Sequence, residues 1–210
     1  MAGTVIEGMH FTDPTALDHV ERAFKGDTAD PTLLSEIESH ARELERPIGQ
    51  FIDDNAIDFA IVQNAFAIPM HLSLAKALYR ALTDRAVPTL AHNHDLHWER
   101  QRFSPCGIPD FINEYFPPVA NNIEHAVINS LAQRELAARK GVAATIVPNV
   151  FDFETPPRAI DDYNADFRHA IGLSPSDLLI MQPTRVVPRK RIELAVELVA
   201  RLDDSRAKLV

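Results

Sequence analysis

Four short apolar runs, Asp58–Val62 (DFAIV), Val87–Ala91 (VPTLA), Ala126–Asn129 and Ala144–Val147, alternate along the chain with stretches of helical periodicity. Runs this short with no polar alternation read as strands buried on both faces. Strands and helices in alternation predict an α/β fold with a parallel sheet covered on both sides. In such sheets ligands bind beyond the C-terminal ends of the strands. The polar runs Gln63-Asn64, His92–Arg102 and Pro148–Phe153 each follow a predicted strand. A fifth unit, Leu178–Leu202 (LLIMQPTRVVPRKRIELAVELVARL), reads as a strand, a turn carrying Arg185 and Lys190, and an amphipathic helix, and a new apolar run begins at Ala207–Val210.

The helices carry their own punctuation. Asp13-Pro14 is an N-cap followed by a proline in the first turn, with Gly26 as the stop. Asp30-Pro31 opens a longer helix to Arg46, where Pro47 is expected to interrupt it before a second piece through Phe51–Asn55. Pro69–Thr83 places Leu72, Ala75, Leu78, Tyr79 and Leu82 on one face. Ser130 and Gln133 suggest a capping box for Leu131–Lys140, with Gly141 ending it. Glu154–Asp162 is acidic and proline-bearing, as linkers are, and Phe167–Ile171 forms a short helix closed by Gly172.

Composition excludes several classes. A net charge of −9 argues against sequence-independent nucleic-acid binding, which needs a basic face. No apolar run reaches the ~20 residues that span a bilayer, and Met1–Phe11 lacks the pattern of a signal peptide. A lone Cys106 rules out an intrachain disulfide and fits a cytoplasmic location. Only 7 glycines occur, and the first segment offers just Gly3 and Gly8, so either the chain is not a nucleotide-binding α/β fold that opens on a glycine-rich turn or its first β–α unit is missing.

Two constellations carry chemistry. His92, His94, Asp95 and His97 form one. It can be read as a metal site, in which case His92-x-His94 suggests a metal-dependent hydrolase. It can also be read as an acid/base or sugar-hydroxyl site, or as a polar loop. Trp98 and Phe103 are loop anchors or, for the aromatic beside polar donors, a surface for a sugar ring. Glu99, Arg100 and Arg102 hold the loop through ion pairs or reach a ligand, while Asn149 and Asp152 taken singly read as turn residues. Arg185 and Lys190 form the other constellation, with Arg189 and Arg191 beside them. Cations at a helix N-terminus oppose its macrodipole, which a solvated basic turn would tolerate at a cost and a bound anion would offset. A phosphate-bearing ligand, held by an enzyme or by a non-catalytic phosphosugar- or nucleotide-binding module, fits that rule-break.

From about Asp58 to Val210 the order of these motifs resembles the retaining glycosyltransferases of family 4. Arg185 and Lys190 match the family's arginine-to-lysine motif at its five-residue offset, with Thr184 and Arg191 in place of the flanking glycines. VINSLAQRELAARKG resembles the segment in which a serine, here Ser130, caps a helix after a strand. IVPNVFDF resembles the interlobe P-N-G-V-D signature, matching Pro148, Asn149 and Asp152 without the glycine. PTLAHNHD resembles the strand ending in His-Asp and aligns His94 and Asp95, with His92 adjacent. IVQN aligns Asn64, with Gln63 where the family often has histidine.

The resemblance implies a GT-B architecture of two Rossmann-like lobes. Residues 1–153 would be an acceptor-side lobe incomplete at its start, 154–172 a linker and short helix, and 173–210 the first β–α unit of a nucleotide-sugar-binding lobe. The second lobe's glutamate pair is missing, which implies a fragment inactive alone. The implied full-length reaction transfers a sugar from a nucleotide-diphosphate sugar to an acceptor hydroxyl with retention, without a metal. Arg185 and Lys190 would bind the donor diphosphate. His94 and Asp95 would join them as catalytic residues, and Asn64, His92 and Trp98 would line the acceptor or sugar side.

Overall fold

The computed structural model describes residues 3–28, 30–156 and 159–210. The chain divides into two compact units, Met1–Val150 and Phe151–Val210. Pro157 and Arg158 of the expected linker lie outside the described residues.

The first unit opens with α1 (Pro14–Ala23) and α2 (Leu33–Asp54). Asp13 caps α1 by accepting the Thr15 and Ala16 N–H groups, as Asp-Pro predicts. The helix ends at Ala23, short of Gly26, when the Phe24 N–H turns back to the Val20 carbonyl. The expected break at Pro47 is absent, and α2 continues through it. A proline inside a helix costs about 3 kcal/mol. Leu33, Ile37, Leu44, Ile48 and Ile52 bury one face on both sides of it, and each such side chain contributes roughly 1.5–3 kcal/mol. Packing along the whole length therefore outweighs the local defect.

Then β1 (Ala60–Gln63), α3 (Leu72–Asp84), β2 (Thr89–Asn93), α4 (Pro109–Tyr115), β3 (Ile123–Val127), α5 (Ser130–Lys140) and β4 (Ala144–Ile146) follow in turn. The four strands form one parallel sheet in the order β1-β2-β3-β4. Its register sets Val62, Ala91 and His125 side by side, and Ile61, Leu90 and Glu124 one residue away on the opposite face. α3 starts at Leu72, later than expected, because His71 caps it by accepting the Leu74 N–H. The cap of α5 is Asn129, whose side chain accepts the Ala132 N–H, and not Ser130; Ser130 is already helical. Gly141 ends α5 at φ 69°, a left-handed conformation that suits glycine.

The sheet is not covered on both sides by described residues. Every crossover steps in the same direction, and right-handed connections then place the helices on one face. One core joins α2, α3 and α4 to Val62, Ala91 and Ile123. A second joins α5, through Ala132 and Leu136, to Val127, Leu96 and Phe103. On the other face Ile61 is 56% exposed and Glu124 is exposed beside it. Unbroken apolarity in β1 was misleading because the helices that follow the strands pack on the other face of the sheet.

The second unit is a small β-α-β element. It comprises α6 (Phe167–Ala170), β5 (Leu178–Ile180), α7 (Ile192–Leu202) and β6 (Ala207–Leu209), with β5 and β6 parallel. Gly172, at φ 75°, follows α6. Leu194, Val196, Leu198 and Leu202 of α7 are exposed.

Histidine burial gives the first unit a pH signature. His19 is buried against Ser73, and His71 bonds the Gly8 carbonyl, with the His40 ring between 5.5 and 5.8 Å from both. Burial lowers the pKa of each below 6.5, and the neighbouring His40 lowers it further, opposed by Asp18 and Glu36 near His19 and by Gly8 and Asp13 near His71. The unfolded chain therefore takes up protons first, so this stability is complete above pH 6.5 and declines as pH falls below it. Glu36 and Glu38, held down to about 2 by Arg22 and Arg80, lose their share only below about pH 4.5. The urea midpoint should fall between pH 7.5 and 5.5, above the range in which Glu36 and Glu38 contribute, and His19→Gln should shrink that fall.

Candidate functional site

The C-terminal ends of β1 and β2 are tied together by Asn64. Its backbone N–H donates to the His92 carbonyl at 2.9 Å, and its side-chain oxygen accepts the His94 N–H at 3.0 Å. The backbone bond continues the β1–β2 ladder by one step, and the chain then turns at Asn64, whose φ is 60°. Asparagine tolerates this left-handed region better than most residues because its short amide can bond locally.

That clasp brings together Asn64, His92 and His94 with Gln63, the other residue of the polar run that follows the first apolar stretch. The His92 and His94 rings lie 4.6 Å apart. His94 Nε2 is 3.3 Å from the Gln63 side-chain oxygen. An amide oxygen only accepts, so this contact is a hydrogen bond when the ring carries a proton on Nε2. His92 lies on the sheet face that described helices leave open, in register with Gln63 and Ala126. Its Nε2 is buried with no hydrogen-bond partner. A ligand hydroxyl is the kind of group that would satisfy it.

Asp95 pairs with Arg100, and Glu99 accepts the Leu96 N–H at 3.2 Å. These contacts shape the loop into two short 3-10 turns, His97–Glu99 and Gln101–Phe103. Trp98 turns from the strand ends to the helix-covered flank, with the Arg139 guanidinium 5.2 Å from its ring. His97 sits beside it, its pKa pushed down to about 4 by burial and by Lys140 and Arg139.

The structure also finds residues that sequence patterning passed over. Asn93 is buried at the end of β2 and donates to the Ala91 and Ala126 carbonyls and to His125 Nδ1. His125 in turn bonds the Pro118 carbonyl at 3.0 Å. This pair staples β2 to β3 directly under the site. A cleft of ≈ 380 Å³ opens at the opposite, N-terminal edge of the sheet, beside Phe59, Asn121 and Asn122.

Metal ligation has weak geometric support in the histidine loop. Among the described residues, the group whose ligand atoms converge within 4.8 Å is Asp18, His19 and Glu36, not the loop of His92, His94, Asp95 and His97. Arg22 already bridges Asp18 and Glu36, at 2.9 and 2.5 Å.

In the second unit Arg185 and Lys190 are both exposed in the segment between β5 and α7. Lys190 belongs to a 3-10 turn, Pro188–Lys190, and Gln182 fixes that turn by donating to the Lys190 carbonyl at 2.9 Å. Arg191 then adopts φ 52° and leaves the N-terminus of α7 without a side-chain cap. Unsatisfied helix N–H groups next to two exposed cations make an anion site in physical terms. Asn149 and Asp152 lie in irregular backbone, where Asp152 closes a turn on Thr155.

Curated proteins similar to this chain share one kind of name. The chain is 40% identical over 157 residues to the mannosylglucosylglycerate synthase of Petrotoga mobilis, covering 73% of this chain and 36% of that protein. It is 30% identical over 192 residues to the mannosylglucosylglycerate synthase of Thermotoga maritima, covering 90% of this chain and 44% of that protein. A mannosylglucosyl-3-phosphoglycerate synthase of Petrotoga mobilis is 28% identical over 166 residues. No family model matches the chain, and no solved structure does.

The Asn64 clasp is testable by stability. Asn64→Gly keeps the left-handed turn and loses the side-chain bond, about 1 kcal/mol. Asn64→Ala also strains the turn, for about 1 kcal/mol more. Chemical denaturation should rank wild type above Asn64→Gly and Asn64→Gly above Asn64→Ala. The chain spans less than half the length of the curated relatives it matches, and over that span it is similar to glycoside-forming synthases.

Proposed function

We propose that this chain is part of a retaining GT-B glycosyltransferase that adds a mannosyl unit from a nucleoside-diphosphate sugar to a glucosylglycerate-type acceptor. The observation that carries the reading is the 40% identity to a mannosylglucosylglycerate synthase, which spans 73% of the chain. The product's name divides into a mannosyl unit on a glucosylglycerate, so a hydroxyl of the glucosyl group is the nucleophile.

As the anomeric C–O bond breaks, negative charge grows on the leaving diphosphate. Arg185, Lys190 and the uncapped N-terminus of α7 supply positive charge for it, and stabilisation that grows with the developing charge lowers the barrier. These cations do the work that a metal does in other transferases, so the proposal includes no metal. The acceptor hydroxyl forms the new bond on the face from which the diphosphate leaves, and its proton passes to the departing phosphate oxygen. His94 and Asp95 line the acceptor side, with Gln63 within hydrogen-bond reach of the His94 ring. Asn64 and His92 complete that wall, and the orphaned His92 Nε2 suits a sugar hydroxyl.

In the full-length enzyme, Arg185→Ala and Lys190→Ala should each lower kcat by about a hundredfold or more, as loss of a transition-state charge contact does. Steady-state kinetics with nucleoside-diphosphate mannose checks this. Near-wild-type turnover in both variants would remove the diphosphate assignment.

A further inference from the structure

A second cleft, of ≈ 400 Å³, lies on the helix-covered flank of the first unit, between the 3-10 turns, α4 and the end of α5. Because α5 runs back from the end of β3 to the start of β4, its last residues sit at the sheet edge opposite His92 and His94. The cleft is lined by His97, Trp98, Ser104, Asn113, Arg139 and Lys140, with Phe103, Ile112 and neighbours completing an apolar floor, and no described Asp or Glu lines it. In a chain of net charge −9, such a pocket is a local reversal of sign.

The end of a helix favours cations, which accounts for Arg139 and Lys140 being there. It does not account for how they are held. Glu135 pairs with Arg139 at 2.8 Å, but Lys140 is turned inward onto the Asn113 carbonyl. Burial lowers the Lys140 pKa, so holding its charge in this place costs stability that no carboxylate returns. The same two cations depress His97. The Trp98 indole N–H is buried and has no acceptor among the described residues. Two cations and an aromatic surface in one concavity are what recognises a small organic anion.

We propose that this cleft binds a compact carboxylate- or phosphate-bearing ligand through Arg139 and Lys140, with Trp98 against its carbon skeleton, at a site separate from the strand-end residues. The inference does not depend on the transfer reaction.

Trp98 is the sole tryptophan of the chain, so its fluorescence reports on this cleft alone. The chain is titrated with inorganic phosphate and, separately, with glycerate, at ionic strength held constant with chloride. Saturation by either anion is the expected result, and which of the two saturates assigns the head group. Arg139→Gln and Lys140→Gln, checked for folding by circular dichroism, should each raise the midpoint at least tenfold. If Lys140→Gln fails to fold, Arg139→Gln carries the comparison. A response no different from chloride in the wild type, or a midpoint unmoved in the folded variants, overturns the proposal.

Discussion

One residue makes the strand-end geometry possible. Asn64 bonds forward to His92 through its backbone and to His94 through its side chain. Parallel strands leave their C-terminal ends as loose loops unless something closes them, and here one asparagine in a left-handed turn does so. His94 and its partner Gln63 take their positions from that closure, and the buried Asn93–His125 pair braces it from the next strand. The site is thus built on strand ends and not on free loops, which is what holding two groups within a few tenths of an ångström requires.

The alternation of apolar runs and helical periodicity was enough to reveal a four-stranded parallel sheet, because burial of a strand leaves a composition signal that helices do not share. Coverage was not legible. DFAIV looks buried on both faces, yet Ile61 is exposed, since a run of apolar residues says nothing about which side a crossover will take. Pro47 misled for a related reason: a local breaking rule competes with long-range packing, and α2 has five large buried side chains to set against it. Asn64 and His94 stood out by position, just after apolar runs, whereas His92, expected beyond the strand, is the fourth residue of β2. The roles of Asn93 and His125 were not legible, because they depend on which backbone carbonyls face each other across β2 and β3.

The two sets of candidate residues differ in kind. In the first unit the chemistry on offer is hydrogen bonding, from imidazoles and amides at the strand ends. In the second unit it is charge, with Arg185 and Lys190 exposed near an uncapped helix start. In the function proposed above, a sugar acceptor uses the first and a departing diphosphate the second. Cations without a cap are a local destabilisation that folding alone would select against, so their presence is most simply understood through the anion they would meet.

The most direct measurement is the anomeric configuration of the product. The full-length enzyme is supplied with nucleoside-diphosphate mannose and glucosylglycerate, and the new linkage is read by NMR from the one-bond carbon–proton coupling at the mannosyl anomeric centre. A product with the same configuration as the donor sugar is the predicted result. An inverted linkage, or release of mannose to water with no transfer, would contradict the assignment of this chain to a retaining glycosyltransferase.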